Sequence, residues 1–148
     1  DIEKTVKPSW LASAPKNLGD PGHGKLTADQ WRTACTVSMV ITLIRIWRPA
    51  PDRSEYLDNF LHLVTAIRWA TMRTSSTRQI SIVEKYFKRY CETTVELFGE
   101  SVLVPNTHLS LHLAECIKAF GPVHGWWAFP FERYNGIIQR QNSNHKLG

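Results

Sequence analysis

The chain has 148 residues, a formal charge of +5 and a pI of about 9.3. That length supports one compact domain, and 43% hydrophobic residues with six tryptophans exclude a disordered chain or a long charged tail. The modest basic excess suits a polyanionic partner such as nucleic acid, and it equally suits an ordinary basic protein.

Residues 1–26 hold Pro8, Pro15, Pro21, Gly19, Gly22 and Gly24 and show no helical period, so they are expected to form an extended arm lying on the domain, anchored by Trp10 and Leu11. At Thr27 the pattern changes. Thr27 with Gln30 reads as a capping box opening a first helix that runs to about Trp47. Its second half contains VSMVITLI (37–44), apolar nearly all round, which reads as a central helix, with a buried strand left open by the Val and Ile content. That run is well short of the roughly 18 residues a membrane span needs, and the opening DIEKTVKPSW lacks the apolar stretch of a secretory signal. A start without methionine suggests a fragment of a longer protein.

Pro49 and Pro51 end the first helix. Ser54 is expected to cap a second, whose Leu57, Phe60, Leu61, Val64 and Ile67 follow the spacing of one buried face. A third, from about Thr77 to Phe98, repeats that spacing through Val83, Tyr86, Phe87, Tyr90 and Leu97, and Gly99 supplies a left-handed cap. Pro105 and Asn106 open a fourth helix that Gly121 and Pro122 close. A fifth starts near Phe131, with Phe131, Tyr134, Ile137 and Ile138 as its apolar side, and the final QNSNHKLG is polar and frayed. The expected architecture is all-α, about five helices with an N-terminal arm. It divides into the arm (1–26), a helical body (27–121) and an aromatic loop with a last helix (122–148), joined in one compact unit.

Several clusters are candidates for chemistry. In GWWAFPFERYNGIIQR (125–140) one carboxylate, Glu132, sits among aromatic residues. On a helix it shares a face with Asn135, Gly136 and Gln139, while Phe131, Tyr134 and Ile138 hold the opposite face in the core. Such a polar stripe suits a metal ion or a phosphodiester, and Gly136 leaves room for a close approach. A glutamate in a first helical turn is also favoured simply by the macrodipole.

In HLSLHLAEC, His108, His112 and Cys116 recur every fourth residue and offer a zinc face. No second ligand pair completes a tetrahedral site, and histidines bordering an apolar stripe are common without metal. With Cys35 and Cys91, Cys116 reads as a buried thiol of a reducing compartment, not part of a disulfide framework. His124 lies in the loop leading to Glu132, where it joins either the glutamate stripe or the histidine face, or simply bonds the backbone. Trp126 and Trp127 are consecutive on a loop and cannot easily bury in one direction, so one of them is free to cap a pocket or stack on a base.

For nucleic acid, RTSSTR (73–78) supplies Arg73 and Arg78 with hydroxyl donors, and Lys85, Lys88 and Arg89 follow on the next turns, with Arg140 near the end. A solvated loop and helix face explains the same residues. There is no phosphate-binding glycine loop, Ser-His-Asp set or sequence-reading zinc finger.

GKLTADQWR in the arm and PNTHLSLHLAECIKAFGPVHGWWAFPFERYNGIIQRQNSNHK at the end, with the helices between them, resemble the C-terminal region of transposases of CACTA (En/Spm-like) elements of the fungal type. GPVH…FPFERYNG is the most specific part. The resemblance implies a ribonuclease-H-like catalytic fold with two aspartates and a glutamate, in which an all-helical insertion precedes the helix bearing the glutamate. Glu132 then looks like the third metal-binding carboxylate.

Two divalent ions, Mg2+ or Mn2+ in the complete protein, activate the nucleophile and stabilise the leaving oxygen in such enzymes, and several carboxylates must hold them. Asp20 and Asp52 lie in proline-flanked turns, and Asp29 and Asp58 fall in early helical turns where capping or dipole compensation explains them, so the aspartates are expected upstream and this chain alone is expected to be inert, with no tightly bound ion. The partners implied are transposon-end DNA and the missing N-terminal catalytic half, with a homo-oligomer left open. The implied location is nuclear, away from membranes. The competing expectation is a non-catalytic helical DNA-binding or interaction module from a decayed or domesticated element.

Overall fold

The computed structural model describes residues 28–140, apart from the side chains of 28, 29, 129, 130, 132, 133, 139 and 140. The expected arm with Trp10 and Leu11, the Thr27 cap and the frayed tail lie outside the described residues. The described chain is all-helical. In order it forms α1 (Ala28–Thr33), α2 (Met39–Trp47), α3 (Ser54–Ala70), α4 (Thr77–Phe98), α5 (Pro105–Leu111), α6 (Leu113–Phe120) and α7 (Phe129–Arg140), with single 3-10 turns at Pro51–Arg53, Glu100–Val102 and Val123–Gly125. None of these helices is long and apolar enough to cross a membrane.

The first expected helix is α1 and α2 joined through a π-helical turn, Ala34–Ser38. There the Thr36 hydroxyl donates to the Arg32 carbonyl at 2.7 Å, an i−4 back-bond of the kind that bends helices. The run 37–44 is therefore helical, and no strand forms in it. It is not a central helix either: α2 buries no residue fully, and Ile46 is 54% exposed. The centre is taken by the two long helices that follow.

α3 and α4 pair antiparallel and carry most of the core. Ala66, Ala70, Val83 and Phe87 are buried in one cluster with Ala114, Ile117 and Val123, and Leu63, Ile67, Trp69, Ile80, Leu113 and Trp127 close around it. α6 and the turn after it thus form the third side. Alanine at 66 and 70 removes side-chain bulk from α3 and leaves room for the larger Val83 and Phe87 of α4.

Polar bonds fix the register at both ends of the pair. At the turn, Gln79, 1% exposed, donates through Nε2 to the Trp69 carbonyl at 2.7 Å, satisfying a backbone acceptor at the end of α3. At the far end the buried Asn59 Nδ2 has the Tyr90 carbonyl at 3.1 Å, Thr93 Oγ1 at 2.7 Å and Thr94 Oγ1 at 3.0 Å.

The helix ends follow local chemistry with some departures. Ser76 accepts from the Gln79 N–H at 3.2 Å, capping α4. Gly99 closes α4 at φ 82° and Gly121 closes α6 at φ 79°, but with ψ of 166° and −161° they occupy the extended positive-φ region that belongs to glycine, not the left-handed helical cap expected for Gly99. Ser54 is not a cap. The 3-10 turn opened by Pro51 runs straight into α3, so Ser54 is already helical. The fourth expected helix is split at His112, whose ψ of −3° ends α5 before α6 begins.

Because the two N–H donors of Asn59 are shared among three acceptors on α4, Asn59→Ala is expected to lower unfolding free energy by about 1–3 kcal/mol, the cost of stranding buried polar groups. Urea denaturation of the two proteins measures the difference.

Candidate nucleic-acid interface

With Gln79, Val83, Phe87 and Thr94 turned inward, the opposite side of α4 presents Lys85, Lys88, Arg89 and Glu92 to solvent. These four join Tyr86 and His62 of α3 around an open cavity of about 380 Å³. The Lys85 ammonium lies 5.7 Å from the centre of the Tyr86 ring, and the His62 and Tyr86 rings are tilted against each other at 5.8 Å. Arg89 is paired with Glu92 at 3.5 Å across an exposed i,i+3 step. Burial, then the Arg89 charge, push the His62 pKa below its ordinary value, and Asp58 one turn back opposes them.

The turn between α3 and α4 holds Arg73 and leads to Arg78 in the first helical turn of α4, both exposed. It is tied to the aromatic loop. His124 Nε2 lies 2.9 Å from the Thr71 carbonyl and must donate to it, which places the proton on Nε2. The His124 ring also meets Trp127 edge-on, with centroids 3.9 Å apart, and Trp127 packs on the core. His124 therefore bonds the backbone, the plainer of its two expected roles. The consecutive tryptophans do part company: Trp127 turns in, while Trp126 is 38% exposed, donating to the Gly121 carbonyl at 3.1 Å and resting near Phe120.

α7 departs most from expectation. Its apolar side is not held in the core: Phe131 is 70% exposed, Tyr134 65% and Ile138 64%, with Ile137 about half exposed. The aromatic loop is anchored by Val123 and Trp127, but the helix beyond finds no apolar cover for these four side chains among the described residues. Asn135 is exposed, and a Cβ added at Gly136 would meet no atom within 4 Å, so the space beside this face of the helix is open. The side chains of Glu132, Gln139 and Arg140 lie outside the described residues.

The face of His108, His112 and Cys116 is interrupted by the break at His112. The two imidazoles meet edge-on at 5.3 Å, and His112 Nδ1 faces the Glu115 carboxylate at 3.1 Å. Among the described residues no three His, Cys, Asp or Glu side chains are grouped to hold a metal ion. Cys35, Cys91 and Cys116 are free thiols, half-buried instead of buried as expected, and desolvation raises the pKa of Cys35 and Cys91, with Glu92 adding to the effect at Cys91.

The structure thus brings Lys85, Lys88 and Arg89 together, sets Arg73 and Arg78 at the turn beside His124, and leaves the histidine face apart. His62 and Tyr86 are functional candidates that the sequence pattern did not single out. A signal was present: counting back equally from the middle of the α3–α4 turn sets His62 across from Tyr86.

No known family model, curated protein or solved structure matches this chain.

A depressed His62 pKa in the fold means the unfolded chain binds more protons just below pH 6.5, the ordinary imidazole value. Stability is therefore expected to fall as pH drops below that value, levelling off below the folded pKa. His62→Gln should flatten this part of the pH–stability curve, measured by thermal melts at constant ionic strength.

Proposed function

We propose that this chain is the helical insertion and the glutamate-bearing last helix of a cut-and-paste DNA transposase, completed by a catalytic half that carries the aspartates. The observation that carries the reading is α7. It is an amphipathic helix entered from a loop pinned by Val123, His124 and Trp127, yet Phe131, Tyr134 and Ile138 stand exposed along one side. A row of large apolar side chains of this kind is costly in water and marks a surface made for a partner. On this reading the catalytic half covers that row, and the other face of the helix, with Glu132, is left turned toward the reacting phosphodiester.

Magnesium or manganese enters only with the complete protein. One glutamate does not hold a two-ion site, and the described residues add no cluster to it. This chain's contribution is placement: a carboxylate on a helix set by its docking, and cations beside the strand. Arg73, Arg78, Lys85, Lys88 and Arg89 are exposed and suited to phosphate oxygens.

These cations need no missing half, and they favour the second reading, a non-catalytic DNA-binding module. The two readings separate in the full-length protein. Glu132→Gln is expected to abolish strand cleavage and leave DNA affinity within about twofold, since the change removes one charge but not the shape of the side chain; cleavage that persists, in an assay with either metal, rejects the catalytic assignment.

DNA binding itself has a separate readout. Replacing Arg73 and Arg78 with alanine should flatten the slope of log affinity against log salt by about one unit for each phosphate no longer neutralised. Fluorescence anisotropy across a salt series measures it, and an unchanged slope removes the turn from the interface.

A further inference from the structure

The α3–α4 cavity holds an excess of positive charge that the fold does not consume. Lys85, Lys88 and Arg89 bring three cations to it and Glu92 one carboxylate. Arg89 is paired with Glu92, Lys85 leans on Tyr86, and Lys88 makes no ion pair among the described residues. The wall from α3 is His62, whose Nδ1 is sealed from solvent with no hydrogen-bond partner among the described residues. A sealed polar atom left without a partner is uncommon in a folded protein and marks either strain or a role.

We propose that this cavity is a phosphate-binding site, with Lys88 and Arg89 taking the anion's oxygens and His62 and Tyr86 forming its inner wall. The guanidinium of Arg89 matches two oxygens at once and the Lys88 ammonium adds a point charge beside it. The cavity, about 380 Å³ and open to solvent, has room for a phosphate group whose attached unit extends into water. The aromatic wall suits the apolar face of such a unit. The ligand chemistry is a phosphate group, supplied either by a nucleic-acid strand or by a small free phosphate. The site depends on the DNA-binding reading only for the first of these sources.

Binding is coupled to the histidine. The charged and titratable groups around His62 are Asp58 on its own helix and Lys85, Tyr86, Lys88, Arg89 and Glu92 on α4. Burial, the larger cause of the lowered His62 pKa, is left in place by a ligand, while a phosphate oxygen beside Arg89 offsets the smaller one, the arginine's charge, and to that extent favours the protonated imidazole. Linkage then requires a phosphodiester, whose own charge is constant near neutrality, to bind more tightly as pH falls below 6.5, the ordinary imidazole value.

The test is an NMR titration of the whole 148-residue chain, with backbone amides and the His62 imidazole observed together. One arm uses inorganic phosphate and the other a five-nucleotide single-stranded thymidine oligomer. The expected result is a saturable shift shared by His62 and the amides of Lys85–Glu92, with the His62 pKa rising on saturation. Lys88→Ala and Arg89→Gln should each weaken binding roughly tenfold, the loss of about one charge-assisted hydrogen bond, and Lys118→Ala on α6 should leave it unchanged. Far-UV circular dichroism confirms that each variant keeps its helices, and a variant that loses them is replaced by Lys88→Gln or Arg89→Lys in the same titration.

Saturation by both ligands assigns the site to a strand backbone, and saturation by inorganic phosphate alone assigns it to a free phosphate. Shifts spread evenly over Arg48, Arg68, Arg73 and Lys118 without saturation at His62, or variants that bind like the parent, overturn the proposal. Failure of the transposase reading, in cleavage by the full-length protein, leaves these outcomes untouched.

Discussion

The register of α3 against α4 is the constraint on which the other features rest. Two small residues, Ala66 and Ala70, make room for Val83 and Phe87, and two buried amides, Gln79 and Asn59, stop the helices from sliding. Apolar packing by itself is tolerant of a shift by one turn, since another apolar residue takes the vacated place. Hydrogen bonds to a carbonyl or a hydroxyl are not, because a slipped amide would be buried without a partner. With that register set, His62 can only face Tyr86, and the basic side of α4 becomes the wall of a cavity instead of a row of separate charges.

The same helix pair positions what comes later in the chain. α6 lays Ala114 and Ile117 on it, and Val123 continues the contact into the aromatic loop. His124 then bonds back to Thr71, the residue that follows α3. A loop that joins the last two helices is thereby fastened to the turn that joins the third and fourth. The packed core of the described residues thus ends at Trp127, and the apolar side of α7 lies beyond it. That anchored base and the uncovered apolar side of the helix beyond it are the observations on which the proposal for the helix bearing Glu132 rests.

Charge has a similar history along α4. Val83 and Phe87 turn one side of the helix into the core, and the 3.6-residue repeat then puts Lys85, Lys88, Arg89 and Glu92 on the other. Nothing in that arithmetic calls for a site. The site arises because α3 brings a half-buried imidazole to the edge of this face, where desolvation and the arginine both disfavour a proton on it. A helix face that reads as ordinary solvated charge in the sequence acquires a neutral, partly dry wall only in the folded pair.

What the sequence by itself determined is local. Helix came from the apolar repeat, and helix ends came from Pro51, Gly99, Pro105 and Gly121, because a fixed or positive φ acts on the residue that carries it and its near neighbours. The prominence of Lys85, Lys88 and Arg89 was legible for the same reason, as was the need for Trp126 and Trp127 to point apart. Only the tertiary structure decided which apolar faces are covered: α3 and α4 bury theirs, while α2, apolar nearly all round, buries no residue fully and the apolar side of α7 stays exposed. It also decided that His124 serves a distant carbonyl, that the helix breaks at His112, and that His62 belongs with α4. Burial and hydrogen-bond partnership are properties of two surfaces at once, so a pattern written along one helix names a face without naming what lies against it.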